Sequence, residues 1–174
     1  GIRKREENRG FEIEGKTIGL IGYGKTGKSF AKKLSGFNCN IIFCDIKTNL
    51  GDNYAREVKI NELKETSDII SLHTNLNQSS RHIIDKQFID NCKKPFCLIN
   101  TARGECISNH DLIYGLESDK IIGAGLDVLE NENKDFEGIA VDQNLEKLKK
   151  FKNVILTPHI AGWSKESKVK LAQI

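Results

Sequence analysis

Short apolar runs recur along the chain and alternate with segments whose apolar residues are spaced three or four apart. Runs rich in Ile, Leu and Val, without strict alternation with polar residues, are typical of β-strands that are covered on both faces. Runs of this kind predict six strands, at Thr17–Ile21, Asn40–Cys44, Asp68–Leu72, Phe96–Asn100, Ile121–Gly125 and Val154–Thr157.

The segments between these runs predict helices. In "KTGKSFAKKLSGF" (25–37), the side chains of Phe30, Leu34 and Phe37 would share one helix face. Further helices are predicted at "INELKETS", "DKQFIDNCK", "NHDLIYGLES", "QNLEKLKKF" and "SKESKVKLAQI". Alternating strands and helices imply right-handed crossovers and a mostly parallel sheet. We therefore predict a single α/β domain with a doubly wound (Rossmann) sheet of about six strands in the order 3-2-1-4-5-6.

The segment Val128–Lys152 breaks this alternation, because it is long and begins with the acidic stretch "LENENKDFEG". A connection of this length inside a compact domain is usually functional or disordered.

Composition narrows the function classes. A length of 174 residues suits one domain, and 38% hydrophobic and 29% charged residues are ordinary for a soluble protein. The net charge of +3 comes with no basic stripe interleaved with aromatics, so nucleic acid is a poor candidate partner. No apolar run approaches the roughly 18 residues of a membrane span. The five cysteines form no C-x-x-C pair, which favours reduced thiols, a cytoplasmic location and no zinc or other metal site.

Three glycines lie where the first predicted strand meets the first predicted helix, in "GYGKTG" (22–27). A lone G-x-G-x-x-G is weak, but here it follows a strand and opens a helix, as in dinucleotide-binding domains. Gly22 would make the tight turn, Gly24 would let the backbone approach a pyrophosphate, and Gly27 would let the helix pack closely on the strand. The phosphates would then face the N–H groups at the positive end of the helix.

Asp45 ends the second predicted strand, 45 − 27 = 18 residues after Gly27. At this position a carboxylate grips the ribose 2′-OH of NAD and repels the 2′-phosphate of NADP. NAD is therefore the predicted cofactor, with Lys47 nearby as a charge that would soften the preference. The alternative interpretation is an ordinary glycine turn with a strand-terminal aspartate.

Three further segments, "INTARGECI" (99–107), "GAGLDVLENE" (123–132) and "LTPHIAGWS" (156–164), decide between these interpretations. Together with "GKTIGLIGYGKTGKSFAKKL" and "DIISLHTNLNQSSRHIID" they resemble the D-isomer-specific 2-hydroxyacid dehydrogenases. This family includes D-3-phosphoglycerate and D-lactate dehydrogenases and glyoxylate/hydroxypyruvate reductases. The resemblance covers nearly the whole chain, with five segments in the family's order and spacing.

The resemblance implies three reacting side chains. Arg103 falls on the family's substrate-binding arginine, whose planar guanidinium clamps a 2-oxo carboxylate through two parallel hydrogen bonds. His159 falls on the acid–base histidine, which exchanges a proton with the substrate oxygen. Glu132, five residues after Asp127, falls on the glutamate that orients the imidazole and stabilises its protonated form. Glu130 is expected to be exposed to solvent.

The resemblance also implies a cofactor-binding set around the glycines, Asp45, Arg103 and His159. Asp127 matches the residue that holds the nicotinamide carboxamide. The other matching positions are Lys25, Thr26, Thr74, Thr101, Ala102 and Gly162.

Some positions depart from the family pattern. Asn133 and Asn75 stand where the family usually has proline, which affects loop geometry but no reacting group. Trp163 stands where many members have a small residue. We expect Trp163 to pack against the sheet, with a position near the nicotinamide as the alternative.

Family members are about twice as long as this chain, because a separate substrate domain accompanies the cofactor domain. The resemblance therefore implies that residues 1–14 form an N-terminal arm, that residues 15–174 form the NAD-binding domain, and that the substrate-binding domain is absent. We expect the isolated chain to bind NAD(H) but to turn over weakly or not at all. A homodimer through the cofactor domain is also implied.

The implied function is an NAD-dependent oxidoreductase that interconverts a small D-2-hydroxy acid and its 2-oxo acid. The alternative is an NAD(H)-sensing regulatory module, because co-repressors related to the family keep the same motifs. Formate dehydrogenase chemistry on the same scaffold is disfavoured, since that branch has Gln where this chain has Glu132.

Overall fold

The computed structural model describes residues 6, 9–130, 132 and 143–173. Within these ranges, seven parallel strands form one sheet in the order β3-β2-β1-β4-β5-β6-β7. The strands are β1 (Thr17–Ile21), β2 (Asn40–Cys44), β3 (Arg56–Glu57), β4 (Ile69–Leu72), β5 (Phe96–Asn100), β6 (Ile121–Leu126) and β7 (Val154–Leu156). This confirms the predicted α/β doubly wound fold.

Over the described residues the sheet has seven strands where about six were predicted, and one strand's place in the predicted order was wrong. The edge position that the order 3-2-1-4-5-6 gave to Asp68–Leu72 is taken by β3, a strand of two residues that pairs with Ile42 and Phe43 of β2. The segment predicted as the third strand is instead β4, on the other side of β1. β3 consists of only two residues, Arg56 and Glu57, and both are charged. No apolar run therefore marks this strand in the sequence.

Helices follow most of the strands, as the spacing of apolar residues predicts. They are α1 (Lys25–Leu34), α2 (Ile60–Thr66), α3 (Lys86–Asn91), α4 (Asn109–Glu117), α5 (Gln143–Leu148) and α6 (Lys165–Leu171), with a 3₁₀ turn at Gly104–Cys106. The prediction for Phe37 was wrong, because α1 ends before it and its side chain is 54% exposed. None of the helices in the described ranges is long and apolar enough to cross a membrane.

Two apolar clusters cover the two faces of the sheet. Adjacent residues of a strand belong to different clusters, as Leu20 and Ile21 of β1 and Ile42 and Phe43 of β2 do. Since successive side chains of a strand point to opposite faces, both faces are buried, which explains the apolar character of the strands.

The predicted site residues follow the carboxyl ends of the strands. The glycine loop follows β1 and Thr74 follows β4, the neighbouring strand. Chain connections leave β1 and β4 in opposite directions across the sheet, and such a switch point leaves a crevice where ligands bind. Residues 131 and 133–142, which include Asn133 and the middle of the predicted long segment, lie outside the described residues.

Candidate active site

The glycine loop has the backbone geometry that its sequence requires. Gly22 has φ +95°, and a Cβ there would lie 2.6 Å from the His73 carbonyl oxygen. A Cβ at Gly27 would overlap the carbonyl oxygen of Gly22. Side chains are therefore excluded at both positions, and α1 packs directly on the turn.

The amino end of α1 is open and lacks a capping side chain. Gly24 is the N-cap residue, no side chain caps the helix, and its first turn holds no acidic residue. Apart from the chain neighbours of Gly24, no atom of the described residues lies within 4 Å of a Cβ built there, while Lys25 and Thr26 are exposed beside it. Unpaired N–H groups and the helix dipole favour an anion here, so the loop fits the diphosphate of a dinucleotide.

Asp45 lies directly after β2 and is tied to the glycine loop. Its Oδ2 accepts a hydrogen bond of 2.7 Å from the Tyr23 backbone N–H, and its Oδ1 accepts one of 2.9 Å from the Lys47 N–H. Each carboxylate oxygen can accept more than one hydrogen bond, so Asp45 keeps acceptor capacity for ribose hydroxyls.

The Arg103 turn is held by a residue that the sequence analysis missed, Asn100. This side chain is fully buried at the end of β5; its Oδ1 accepts from the Ala102 N–H at 3.1 Å and its Nδ2 donates to the Arg103 carbonyl at 2.9 Å. Arg103 is exposed, and its guanidinium donates a hydrogen bond of 2.6 Å to the Ala102 carbonyl. A polar residue ending the apolar run "FCLIN" is the signal that could have found Asn100.

Asp127 anchors the segment that carries His159. Its carboxylate is buried and accepts hydrogen bonds from the Thr157 hydroxyl at 2.6 Å and from the N–H groups of Ile160 and Ala161 at 2.8 Å each. Burial alone would raise the pKa of Asp127, but these hydrogen bonds outweigh it and hold the pKa below its usual value. The structure thus gives Asp127 a positioning contact, while its predicted contact with a carboxamide stays a prediction.

His159 and Glu132, for which the family resemblance implies acid–base roles, are hydrogen-bonded to each other. The imidazole Nδ1 lies 2.8 Å from Glu132 Oε2, and Glu132 Oε1 accepts a hydrogen bond of 2.9 Å from the Leu129 N–H. His159 has φ +53°, a left-handed conformation that costs a non-glycine residue roughly 1–2 kcal/mol. Its N–H donates to the carbonyls of Asp127 and Thr157, and these bonds hold the unfavourable backbone in place.

The Arg103 turn and the His159 segment are joined through backbone hydrogen bonds. The Asp127 N–H donates to the Asn100 carbonyl, and the His159 N–H donates to the Asp127 carbonyl. Arg103, Asp127 and His159 therefore lie just after the carboxyl ends of the neighbouring strands β5, β6 and β7.

Two expectations about neighbouring side chains were wrong. Glu130 is not a solvent-exposed carboxylate: it pairs with His82 Nε2 at 3.1 Å and accepts from the Asn109 N–H at 2.9 Å. Trp163 does not pack against the sheet; it is 68% exposed, with Lys168 Nζ 4.3 Å from its ring centroid.

The remaining predicted cofactor residues lie in the loops of the same edge. Thr74 follows β4 and its hydroxyl lies 3.4 Å from the Cys106 sulfur, while Ala102 is buried and Thr101 is exposed after β5. Gly162 is exposed after His159, with open space at its Cα. Over the part of the chain that the structure describes, no group of three or more His, Cys, Asp or Glu side chains is placed to hold a metal ion.

Comparison with known proteins identifies the family. The family model described as "D-isomer specific 2-hydroxyacid dehydrogenase, NAD binding domain" matches residues 1–161. The chain belongs to this family. The resemblance predicted from the five segments is thereby confirmed.

Relatives of this chain include enzymes for several 2-oxo acids. A D-specific alpha-keto acid dehydrogenase of Enterococcus faecium is 35% identical over 167 residues, 93% of this chain and 51% of the relative. A hydroxypyruvate reductase of Thermotoga maritima is 38% identical over 167 residues, 96% of this chain and 53% of the relative. The chain spans about half the length of the curated relatives it matches.

Solved structures agree with this assignment. The NAD-complexed form of the D-isomer specific 2-hydroxyacid dehydrogenase from Lactobacillus delbrueckii ssp. bulgaricus superposes with a TM-score of 0.88 at 30% identity, covering 98% of this chain and 55% of that chain. The NAD-binding family and this NAD-complexed neighbour confirm the prediction of NAD as the cofactor.

Proposed function

We propose that this chain is the NAD(H)-binding part of an oxidoreductase that interconverts a small D-2-hydroxy acid and its 2-oxo acid. The observation that carries the proposal is the hydrogen bond between His159 Nδ1 and Glu132 Oε2, which lie 2.8 Å apart. The His159 segment and the glycine loop both follow the carboxyl ends of parallel strands, on the same side of the sheet. An acid–base pair and a dinucleotide loop at one edge are the two parts that this reaction needs.

The cofactor would be held by the glycine loop and by Asp45. The N–H groups at the start of α1 would bind the diphosphate, and the carboxylate of Asp45 would accept from the ribose hydroxyls. NADH bound in this way would supply the hydride for the reduction of a 2-oxo acid. The loops after β4, β5 and β7, with Thr74, Thr101 and Gly162, would line the rest of the cofactor site.

Arg103 would bind and polarise the substrate. Its guanidinium carries five N–H donors, and the one described hydrogen bond, to the Ala102 carbonyl, leaves donors for a carboxylate. Two parallel hydrogen bonds from this planar group would orient the 2-oxo acid with its carbonyl beside the positive charge. No other described residue forms an ion pair with Arg103.

His159 would move the proton. With Nδ1 directed at Glu132, Nε2 is the nitrogen that gives a proton to the carbonyl oxygen in reduction and takes the hydroxyl proton in oxidation. The reduction is then balanced: the carbonyl carbon gains a hydride, the carbonyl oxygen gains the histidine proton, and a 2-hydroxy acid results. Glu132 stabilises the imidazolium that alternates with the neutral ring.

We further infer the organisation of the protein around this domain. Residues 15–174 would form the cofactor domain, residues 1–14 an arm, and a second domain of the whole protein would close over the substrate. A homodimer through the cofactor domain follows from the family resemblance, and sedimentation analysis tests it. The five free thiols, without a disulfide among them, support a cytoplasmic location. No observation favours the regulatory alternative.

Turnover of the whole protein tests the proposed function. NADH oxidation is followed at saturating NADH with pyruvate, glyoxylate and hydroxypyruvate, which are small acids that each carry a carboxylate beside a carbonyl. We expect oxidation that depends on at least one of these acids and that disappears in His159→Gln. Oxidation by none of the three acids, in a protein that binds NADH, would contradict the proposal.

A further inference from the structure

One residue of the glycine loop contacts both ends of the segment that follows β2, through its backbone at one end and its side chain at the other. Tyr23, between Gly22 and Gly24, donates its backbone N–H to Asp45 Oδ2 at 2.7 Å. Its hydroxyl donates to Asp52 Oδ1 at 2.8 Å. The segment 46–55, which leads from β2 to β3, is therefore attached to the glycine loop at its beginning and near its end.

The Tyr23 ring is fixed by its surroundings. It is fully buried and stacks on Phe43 of β2, with ring centroids 3.8 Å apart and an interplanar angle of 11°. Stacked aromatic rings of this kind add specific geometry to apolar burial. Because the ring cannot swing away, the hydroxyl presents a fixed attachment point for Asp52.

Asp52 organises the end of the segment around this attachment. Its Oδ1 also accepts from the N–H groups of Tyr54 at 2.9 Å and Ala55 at 3.3 Å, and its Oδ2 lies 3.8 Å from Lys28 Nζ. Burial raises the pKa of Asp52, but the hydrogen bonds and Lys28 outweigh it and lower the pKa, so the carboxylate is charged. Hydrogen bonds to a charged acceptor are about twice as strong as neutral ones.

We propose that the hydrogen bond from the Tyr23 hydroxyl to Asp52 holds the segment 46–55 on the glycine loop and makes Tyr23 a determinant of selectivity for NADH over NADPH. This inference rests on the proposed function, because it deepens the role of the same cofactor site. It assigns a role to the residue between the first two glycines, a position that the fingerprint leaves unspecified.

Selectivity follows from two charges attached to this segment. The Asp45 carboxylate, held by the N–H groups of Tyr23 and Lys47, binds ribose hydroxyls and repels a 2′-phosphate. The ammonium group of Lys47 is exposed and forms no ion pair with any described residue, so it attracts a 2′-phosphate. A firmly attached segment keeps the Asp45 carboxylate in place. If the segment is loosened, the carboxylate binds the ribose hydroxyls of NADH less tightly and also repels the 2′-phosphate of NADPH less strongly.

Removal of a single hydroxyl group tests the proposal. Tyr23→Phe keeps the ring stack and the backbone N–H but deletes the bond to Asp52, and Asp52→Ala deletes the same bond from the other side. The matched control is Tyr114→Phe on α4, which deletes a tyrosine–aspartate hydrogen bond of 2.6 Å to Asp90, remote from the glycine loop in the sequence. Dissociation constants for NADH and NADPH are measured by nucleotide fluorescence, and amide exchange of residues 46–55 is measured without cofactor.

For Tyr23→Phe and Asp52→Ala we expect the NADH dissociation constant to rise roughly tenfold, the NADPH constant to change by much less, and the 46–55 amides to exchange faster. Tyr114→Phe should leave all three unchanged. Unchanged nucleotide constants in Tyr23→Phe, or equal losses for both nucleotides, would overturn the inference while the proposed function stands. Failure of the folded wild-type chain to bind either nucleotide would instead overturn the proposed function.

Discussion

His159 Nδ1 and Glu132 Oε2 lie 2.8 Å apart, although 27 residues separate the two in sequence. Both members of the pair are hydrogen-bonded to the backbone around them: Glu132 Oε1 accepts from the Leu129 N–H, and the His159 N–H donates to the Asp127 carbonyl. The imidazole therefore has one defined orientation, with Nδ1 on the carboxylate and Nε2 directed elsewhere. A preset orientation of this kind is what an acid–base group needs before substrate arrives.

Glu132→Gln should slow turnover of a 2-oxo acid by the whole protein. The neutral amide keeps the shape of the side chain but cannot stabilise the imidazolium, so we expect kcat to fall roughly 100-fold. The NADH dissociation constant should stay the same, because Glu132 acts on the proton and not on the nucleotide. Steady-state rates and a nucleotide titration measure the two effects.

The matched control for this variant is Glu65→Gln, an exposed glutamate on α2. It changes the same charge without touching the sheet edge, and its kcat should equal that of the wild type. A Glu132→Gln enzyme with the wild-type kcat would show that the pair is structural only.

Two glycine substitutions should separate folding from cofactor binding. At Gly27 a Cβ would overlap the Gly22 carbonyl oxygen, so Gly27→Ala should lower the free energy of unfolding by about 2 kcal/mol or more. At Gly24 the space is open, so Gly24→Ala should cost less than about 1 kcal/mol. The same methyl group would lie where the diphosphate approaches, and NADH affinity should fall roughly tenfold or more.

Urea unfolding and a nucleotide titration on both variants check this separation. Equal loss of stability in Gly24→Ala and Gly27→Ala would contradict the assignment of open and filled space at the two glycines.

Asp127→Asn should destabilise the His159 segment. The amide group replaces either Oδ1, which accepts from the Thr157 hydroxyl and the Ile160 N–H, or Oδ2, which accepts from the Ala161 N–H. The unfolding free energy should therefore fall by about 2 kcal/mol at neutral pH. Because the folded-state pKa of Asp127 is lowered, the wild type loses this advantage as pH falls through that pKa. The exposed Asp119→Asn is the control, and a loss as large in Asp119→Asn would refute a specific role for Asp127.

The pH dependence of stability should report on His73, beneath the glycine loop. Burial lowers the pKa of His73 to about 4, whereas an unfolded histidine titrates near 6.5. Between these values the unfolded chain binds a proton that the folded chain does not, so stability falls as pH falls. The loss attributable to His73 should reach roughly 3 kcal/mol by pH 4, and nearly none of it should appear above pH 7.

The quantity to compare between the wild type and each variant is the slope of the unfolding free energy against pH, rather than its value at a single pH. His73→Phe keeps a ring near Phe30 and should flatten the curve between pH 6.5 and 4. His110→Asn, at a side chain that is 82% exposed, should leave the slope as it is. Parallel curves for the wild type and His73→Phe would contradict a neutral buried imidazole.

The apolar pattern predicted the long, buried strands well because a strand that is buried on both faces consists largely of Ile, Leu and Val. β3 escaped the pattern because Arg56 and Glu57 pair through their backbones alone. The error at Phe37 has a similar origin, since helical spacing continues past the residue where α1 ends.

Arg103, Glu132 and His159 could be singled out from the sequence because each belongs to a compact motif, and their roles in the reaction stay predictions. The residues that hold them could not be singled out, because Asn100 and Thr157 act through contacts that only the folded chain creates. Glu130 shows the same limit: as a charged residue in an acidic stretch it looked exposed, and its partner His82 is 48 positions away. The prediction for Trp163 was wrong in the opposite sense: the ring was expected to be packed on the sheet, but it is exposed and lies near Lys168.

The decisive experiment for the cofactor site is calorimetric titration of the 174-residue chain with NADH and NADPH, repeated on Asp45→Ala. We expect the wild type to bind NADH more tightly than NADPH. The substitution should weaken NADH binding roughly tenfold or more and should narrow the difference in affinity between NADH and NADPH. A folded chain that binds neither nucleotide, or an Asp45→Ala chain that binds NADH as the wild type does, would contradict the proposed cofactor site.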